Sequence, residues 1–459
     1  MSLRYPLIFL FGLVLSSTTV LGQPPETGVL ISTDNASPGY TLIAPFGGQK
    51  TYLIDLKGDV VHSWTMQGRP SQACYLLPDG SLLRTTKIEN QVFDVPGGPA
   101  GGIQRLSWDG ELLWNFVVSD QTYHAHHDIE PLPNGNVLVV VWERKSREDA
   151  IAAGRDPDLI GEGSVWSEAV LEIKPEGQTG GRIVWEWHLW DHLVQSFDNT
   201  KPNFGYPSDA PHRVDLNYVE RAIPDWIHMN SIDYNPDLDQ IALSGRTFDE
   251  VWIIDHSTTS EQAKGSVGGR AGKGGDLLYR WGNPFSWFAG TPADQKLFGQ
   301  HDPHWIPAGL PGAGNLLIFN NGSHRDGRPF STVDEITPPV QKDGTYALQA
   351  GLPFGPDQLT WTFRLPDRGF SERVSGAQRL PNGNTLICSG ENGRLLEVNK
   401  AGQIVWEFQN YLGQVPAANP QVSSGGGPGP LGGVAMFRAT RYTPDHSAFV
   451  GHTLVPLSN

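Results

Sequence analysis

Two short phrases, each repeated six times in strict alternation, constrain this 459-residue chain more than any other feature. The outer phrase has a turn residue, two apolar residues and a terminal aromatic. Its copies are KGDVVHSW (57–64), DGELLWNF (109–116), GGRIVWEW (180–187), GGDLLYRW (274–281), PDQLTWTF (356–363) and AGQIVWEF (401–408). Turn chemistry followed by alternating bulky residues is the pattern of a hairpin's second strand. The inner phrase reads as strand, tight turn, strand. It is clearest in EPLPNGNVLVVVW (130–142) and QRLPNGNTLICSG (378–390). Weaker copies are YLLPDGSLLRTT (75–86), DYNPDLDQIALSGR (233–246), HWIPAGLPGAGNLLIF (304–319) and RYTPDHSAFVGH (441–452).

The series opens on an outer copy and closes on an inner one. The first outer phrase therefore has no partner until the last inner phrase joins it. This predicts an all-β fold, a six-bladed β-propeller over 23–459 closed by pairing residues near 57–64 with those near 438–452. Closure removes the exposed sheet edges that would otherwise invite aggregation. A pair of sandwiches or a solenoid would not need the permuted order. The 54 glycines, 36 prolines and 15 tryptophans suit a turn-rich β protein. Two stretches, 144–168 and 188–225, interrupt the rhythm and are expected to cap one face as loops or short helices.

Before the repeats, Arg4 precedes an apolar run from Leu7 to Leu15, and small residues follow up to Gly22. The run is too short to span a bilayer, and 1–22 reads as a secretory signal peptide, with an uncleaved anchor as the alternative. The expectation is a secreted or periplasmic protein with no membrane span after signal cleavage. A net charge of −16 without a basic stripe excludes a nucleic-acid partner. Cys74 and Cys388 fall in non-neighbouring blades and are predicted unpaired and buried. Asn35-Ala36-Ser37 and Asn321-Gly322-Ser323 match the glycan acceptor pattern.

The prolines of the inner phrases (Pro78, Pro133, Pro236, Pro307, Pro381, Pro444) share a register. Six residues before them stand Gln72, His127, Asn230, His301, Ser375 and Arg438, all polar on innermost strands. Strand alternation adds His228 and Arg373, two residues further upstream. A polar ring of this kind lines a water-filled channel, and solvation alone would explain most of it. The histidines add chemistry. His127-Asp128 and His301-Asp302 occupy one register in blades 2 and 4, His228 lies in blade 3, and Arg246 ends that blade's second strand. Three imidazoles on successive blades converge at one channel mouth, where imidazole can be nucleophile, proton donor or metal ligand. His124-Ala125-His126 and His301 with His304 keep a metal reading open, but no HExxH or Cys/His cluster occurs and Arg246 would repel a divalent ion. Asp128 and Asp302 either orient neighbouring strands or buttress a histidine. The glycine-rich VGGRAGKGGD (267–276) lacks phosphate-loop spacing, and SGGGPGP (424–430) precedes no helix pattern, so both read as turns.

The motifs that carry these residues resemble a known family, the PAPS-independent arylsulfotransferases (aryl-sulfate sulfotransferases). The likeness runs through GYTLIAP (39–45), TYLIDLKGDVVHSW (51–64), HHDIEPLPNGNVL (126–138) and DWIHMNSIDYN (225–235). It continues in DQIALSGRTFDEVWIID (239–255), LLYRWGNP (277–284) and QHDPHWIP (300–307). The ordered set His-Asp, His-x-Asn-Ser, Ser-x-Arg and Gln-His-Asp is its most specific part. The resemblance implies ping-pong transfer of a sulfuryl group from a small aryl sulfate donor to a phenolic or other hydroxyl acceptor, through a sulfohistidine and with no cofactor. It implies that His301 is the nucleophile and that His127, His228 and Arg246 surround the transferred group. Asn230, Arg438, His126 and His304 are the expected substrate contacts. Two other classes remain at this stage: a metal-dependent propeller lyase or hydrolase on an acidic polysaccharide, and a non-catalytic binding propeller.

Overall fold

Every outer phrase forms the fourth strand, counted from the axis, of an antiparallel sheet, and six such sheets stand in a ring. The computed structural model describes residues 26–95, 97–161, 163–413 and 432–457. The expected signal segment, 1–22, and the SGGGPGP run lie outside the described residues. Blades 1 to 5 span 70–117, 123–188, 229–281, 301–364 and 376–409. Their first strands pack against one another around the axis. Among the described residues no helix is long and apolar enough to cross a membrane.

The ring closes in the sixth blade with both ends of the chain, but through a different pair of strands than the inner phrase predicts. Met436–Tyr442 pairs with Tyr40–Pro45, which leads outward to Lys50–Ile54 and Val60–Thr65. The residues after Tyr442 turn at Pro444 into a short 3-10 segment, Ser447–Phe449, and form no strand. Tyr40–Pro45 supplies the second strand instead, with Leu42 and Ile43 buried. A further strand, Gly28–Ser32, pairs with Ile404–Gln409 and makes blade 5 five-stranded. The N-terminal region therefore clamps blade 5 before it enters blade 6.

The repeated tryptophans explain why neighbouring blades stay in register. One tryptophan of each outer phrase donates its indole N–H to the next blade or to the turns beside it. Trp64 donates to Ser107 O, Trp114 to Gly180 O, Trp185 to Thr258 Oγ1, Trp281 to Pro356 O, Trp361 to Lys400 O and Trp406 to Leu56 O. The six bonds run once around the ring. A large ring buried between sheets contributes area, and its N–H, which would be costly to bury alone, is satisfied at the same time.

The interrupting stretches are built as one cap over blades 2 and 3. The strands Val137–Ser146 and Ser164–Glu176 extend past the sheet, so part of 144–168 is strand, and the short helix Arg147–Ala152 sits between them. The second stretch contains 3-10 turns and a two-stranded parallel ribbon, Leu193–Val194 with Val214–Asp215. Arg155 ties the two together: it donates to Val219 O, is paired with Leu216 O, and lies 4.9 Å over the Trp226 ring. The run 267–276 forms turns, with the Ala271 amide donating to Asp255 Oδ2 at 2.9 Å. Cys74 and Cys388 are both free; Cys388 is buried, whereas Cys74 is only half-buried beside Thr51.

Candidate active site

The innermost strands are not regular where the polar ring sits. Pairing shifts register between Val139 and Val141 opposite His126–Asp128, between Met229 and Ile232, and between His301 and His304. Backbone φ is positive at His127 (49°), His228 (54°), Asp302 (56°), Val374 (51°) and Ser375 (89°). Bulges of this kind re-aim side chains at the rim of a sheet, and left-handed non-glycine residues are costly enough to be held only by their surroundings. Simple alternation therefore gives a true neighbourhood for a wrong reason: His228 precedes the strand Met229–Asn235 and reaches the mouth by its left-handed turn.

His127, His228, His301 and Arg246 come together at this mouth. The His127 and His228 rings meet edge to face with centroids 4.6 Å apart. His301 and His127 are buried, and both imidazoles are held well below the usual histidine range. Burial is the main cause for each; His228 and then His126 add to it for His127, and Arg246 adds most for His301. The Arg246 guanidinium forms no hydrogen bond or ion pair among the described residues; Asp249, Glu372 and Asp225 act on it only through their charge. An arginine with no carboxylate in contact, beside the neutral imidazoles of His127 and His301, is a site for an anion.

Each histidine has its own second partner, and these partners define which nitrogen faces the channel. Asn321 Nδ2 donates to Ser371 O and Val374 O, both at 2.9 Å, which orients its amide. Its Oδ1 therefore accepts from His301 Nδ1–H at 2.8 Å, and His301 Nε2 carries the lone pair, meeting the Val374 amide N–H at 3.2 Å. His228 Nδ1 donates to Asp225 Oδ2 at 2.6 Å, and Asp225 Oδ1 accepts from the His228 amide and from Trp142 Nε1. His127 Nδ1 lies 2.8 Å from His126 Nδ1, whose other nitrogen lies 2.8 Å from Glu168 Oε2. The His126 ring stacks on Trp142 at 4.2 Å.

Asn321, Asp225 and Glu168 carry no mark in the sequence as partners of a histidine. Asn321 is moreover the asparagine of a glycan acceptor match, yet it is fully buried with its amide spent, so tertiary context overrides that motif. Asp225 and Glu168 stand at the ends of the two cap stretches, so the cap supplies the carboxyl groups that hold His228 and, behind His127, His126.

The other expected substrate contacts lie elsewhere or are already occupied. His126 stands behind His127 and is fully buried. Asn230 donates to Gln300 O at 2.9 Å and accepts from Ser231 Oγ at 3.1 Å, so it holds the chain just before His301. Arg438 donates to Tyr75 Oη at 2.7 Å and Asp128 Oδ2 at 2.8 Å and lies 3.2 Å from Asp302 Oδ1. His304 Nδ1 bonds Asp302 O at 2.9 Å, away from the three rings. Arg373 pairs with Glu391. The aspartates orient neighbouring strands, as one of their two readings proposed: Asp128 accepts from the Ile232 amide of blade 3 and Asp302 from the Ala377 amide of blade 5. His124 bonds Ser119 Oγ, and no group of three or more His, Cys, Asp or Glu is arranged to hold a metal among the described residues.

Gly98 forms the wall against His127. At φ 83°, a Cβ built there would lie 2.0 Å from His127 Cε1. Gly98→Ala is expected to push the imidazole from its place and to cost about 1–2 kcal/mol for the left-handed backbone alone. A lowered urea midpoint together with lost turnover would show it; an unchanged midpoint and rate would remove Gly98 from the site.

No curated protein matches the chain. Among solved structures it is similar to a protein of unknown function from Bacteroides caccae, at 12% identity and TM-score 0.42, covering 82% of this chain and 94% of that one. It is also similar to a catalytically inactive virginiamycin B lyase from Staphylococcus aureus with quinupristin, at 11% identity and TM-score 0.36, covering 84% and 88%. A functionally unknown protein from Desulfotomaculum acetoxidans aligns at 8% identity and TM-score 0.38, covering 89% and 100%. Likenesses at this level say nothing about activity. The family comparison does: the model of arylsulfotransferases (ASST) matches residues 46–415, from the turn before the third strand of blade 6 through blade 5. The chain belongs to the arylsulfotransferase family.

Proposed function

We propose that the protein transfers a sulfuryl group from an aryl sulfate ester to a hydroxyl acceptor through a covalent intermediate on His301. The observation that carries this reading is a neutral imidazole with a defined lone pair beside an unpaired guanidinium. His301 Nδ1–H is engaged by Asn321, so Nε2 is the nucleophilic atom, and burial with Arg246 keeps it unprotonated. The contact from the Val374 amide is long, and an incoming sulfur atom takes its place.

The chemistry follows from where charge moves. Attack by Nε2 forms an N–S bond while the S–O bond to the aryl group breaks and its electron pair goes to the phenolate oxygen. The equatorial oxygens keep negative charge throughout, and by analogy with phosphoryl transfer, positioning and electrostatics dominate. Arg246 and one of the two facing histidines hold those oxygens, and the other histidine protonates the leaving oxygen. An acceptor hydroxyl then reverses the sequence. No step draws on a cofactor. The expected signal segment fits release into a periplasmic or extracellular space, where a nucleotide-free donor would be used.

The test is chemical trapping. Brief incubation with 4-nitrophenyl sulfate, followed by proteolysis at alkaline pH and mass spectrometry, is expected to place a sulfuryl group on the peptide containing His301. Turnover should survive a chelator. An adduct on a different residue would reassign the nucleophile, loss of turnover on chelation would favour a metal-dependent lyase or hydrolase, and ligand affinity without turnover would favour a binding propeller.

A further inference from the structure

A line of buried hydrogen bonds leads away from the channel, from His127 through His126 to Glu168. Its three polar side chains are withdrawn from solvent. The two links, His127 Nδ1 to His126 Nδ1 and His126 Nε2 to Glu168 Oε2, are both 2.8 Å. Glu168 Oε1 accepts from the Met229 amide at 2.8 Å, so the other oxygen alone is left to face His126. The line is rigid: His126 is stacked on Trp142, and Trp142 is itself bonded to Asp225.

Proton counting allows this line two arrangements. With neutral imidazoles and a protonated Glu168, the carboxyl donates to His126 Nε2, His126 Nδ1–H donates to His127 Nδ1, and His127 Nε2–H points into the channel as a donor. With an ionised Glu168 every bond reverses, and His127 Nε2 presents a lone pair. The surroundings favour the first arrangement at rest. Burial, and then the nearby Asp225, push the Glu168 carboxyl well above its ordinary range, opposed by the Met229 amide. Burial with His228 and His124 holds His126 neutral. His228 is wired differently: its Nδ1–H is bound directly to Asp225, a carboxyl that is only half-buried.

We infer that Glu168 is the proton reserve for leaving-group departure, acting through His126 on His127, which is the general acid of the reaction. This rests on the sulfuryl-transfer reading above and assigns the two facing histidines: His228 on Asp225 helps Arg246 hold the sulfuryl oxygens, and His127 handles the proton. As the S–O bond breaks, the proton on His127 Nε2 passes to the phenolate oxygen. His127 Nδ1 takes the proton of His126 Nδ1, and His126 Nε2 takes that of Glu168. The phenol leaves, both imidazoles are again neutral in the opposite tautomer, and Glu168 is a carboxylate. The acceptor hydroxyl returns a proton by the same path in the second half-reaction. A lone imidazole would instead end that step as an anion, or would have to begin it as a cation among other cations.

Glu168→Gln preserves the resting hydrogen bonds, since its amide can donate to His126 and accept from Met229, but it cannot give up a proton. Its effect must depend on the leaving group. With 4-nitrophenyl sulfate, whose phenolate departs without protonation, the first-step rate is expected to change by less than about 3-fold. With unsubstituted phenyl sulfate, which needs the acid, it is expected to fall by about 10²-fold. Glu168→Asp should recover part of the phenyl sulfate rate. Equal losses on both donors, or no loss on phenyl sulfate, would overturn the relay. If the variant does not fold, a proton inventory on the wild type in mixed H2O and D2O decides the matter. Curvature with phenyl sulfate and a linear plot with 4-nitrophenyl sulfate support several protons in flight; linear plots for both exclude them. A wild-type protein that transfers sulfuryl from neither donor would remove the underlying function, a failure distinct from these.

Discussion

His301→Ala is expected to abolish sulfuryl transfer from an aryl sulfate, with a loss on the order of 10⁵–10⁶, as for other covalent nucleophiles. Aryl sulfate would still bind, because Arg246, His127 and His228 remain. The propeller itself should persist. Its blades are joined by the tryptophan ring and by Asp128, Asp233 and Asp302, none of which needs the imidazole. The structural cost is the Asn321 Oδ1 left without its donor and the Val374 amide left without its acceptor, about 1–3 kcal/mol for each buried polar group. Stopped assays of phenol release with a matched thermal melt would separate the two effects. Near-normal transfer by a folded variant would refute the covalent mechanism outright.

Arg246→Met is expected to cost about 10²–10³ in kcat/KM, the usual loss for one electrostatic contact to a reacting anion. It has a second consequence that follows from charge. Burial is the first cause and Arg246 the second of the low proton affinity of His301. A nucleophile whose folded pKa is depressed keeps its lone pair as pH falls through the ordinary histidine range, so the wild-type rate should hold below pH of about 6.5. Removing the guanidinium takes away one of the charges that depress the pKa of His301, and the acid limb of kcat/KM should move to higher pH. A profile that keeps its acid limb while the rate falls would mean that Arg246 binds substrate without tuning the nucleophile. An unchanged rate would remove Arg246 from the site.

Much of the fold was legible because a propeller writes itself into its chain. The outer phrases became the fourth strands of their blades, and their tryptophans and the tight turns at Asn134–Gly135 and Asn382–Gly383 recur where the spacing put them. In blades 3, 4 and 5 the strand between the inner and outer phrases left little trace, since its residues are buried on both faces and show no alternation. The closing strand pair was misplaced for a related reason. RYTPDHSAFVGH looks like its five counterparts, but the partner of Met436–Tyr442 arrives from the other end of the chain.

The candidate site divides along the same line. Repeat register was enough to gather His127 and His301, because a ring of equivalent strands converts sequence position into angular position around an axis; His228 joins them through a left-handed turn that alternation does not describe. The protonation logic of the site was beyond it. Asn321, Asp225 and Glu168 reach their histidines from a loop and from the two ends of the cap, 20, 3 and 42 residues away along the chain from the partners they hold. No period links those separations. Only packing brings a buried carboxyl, two imidazoles and a left-handed turn into one hydrogen-bonded line, and only packing turns the Asn321 amide so that the lone pair of His301 stays on Nε2.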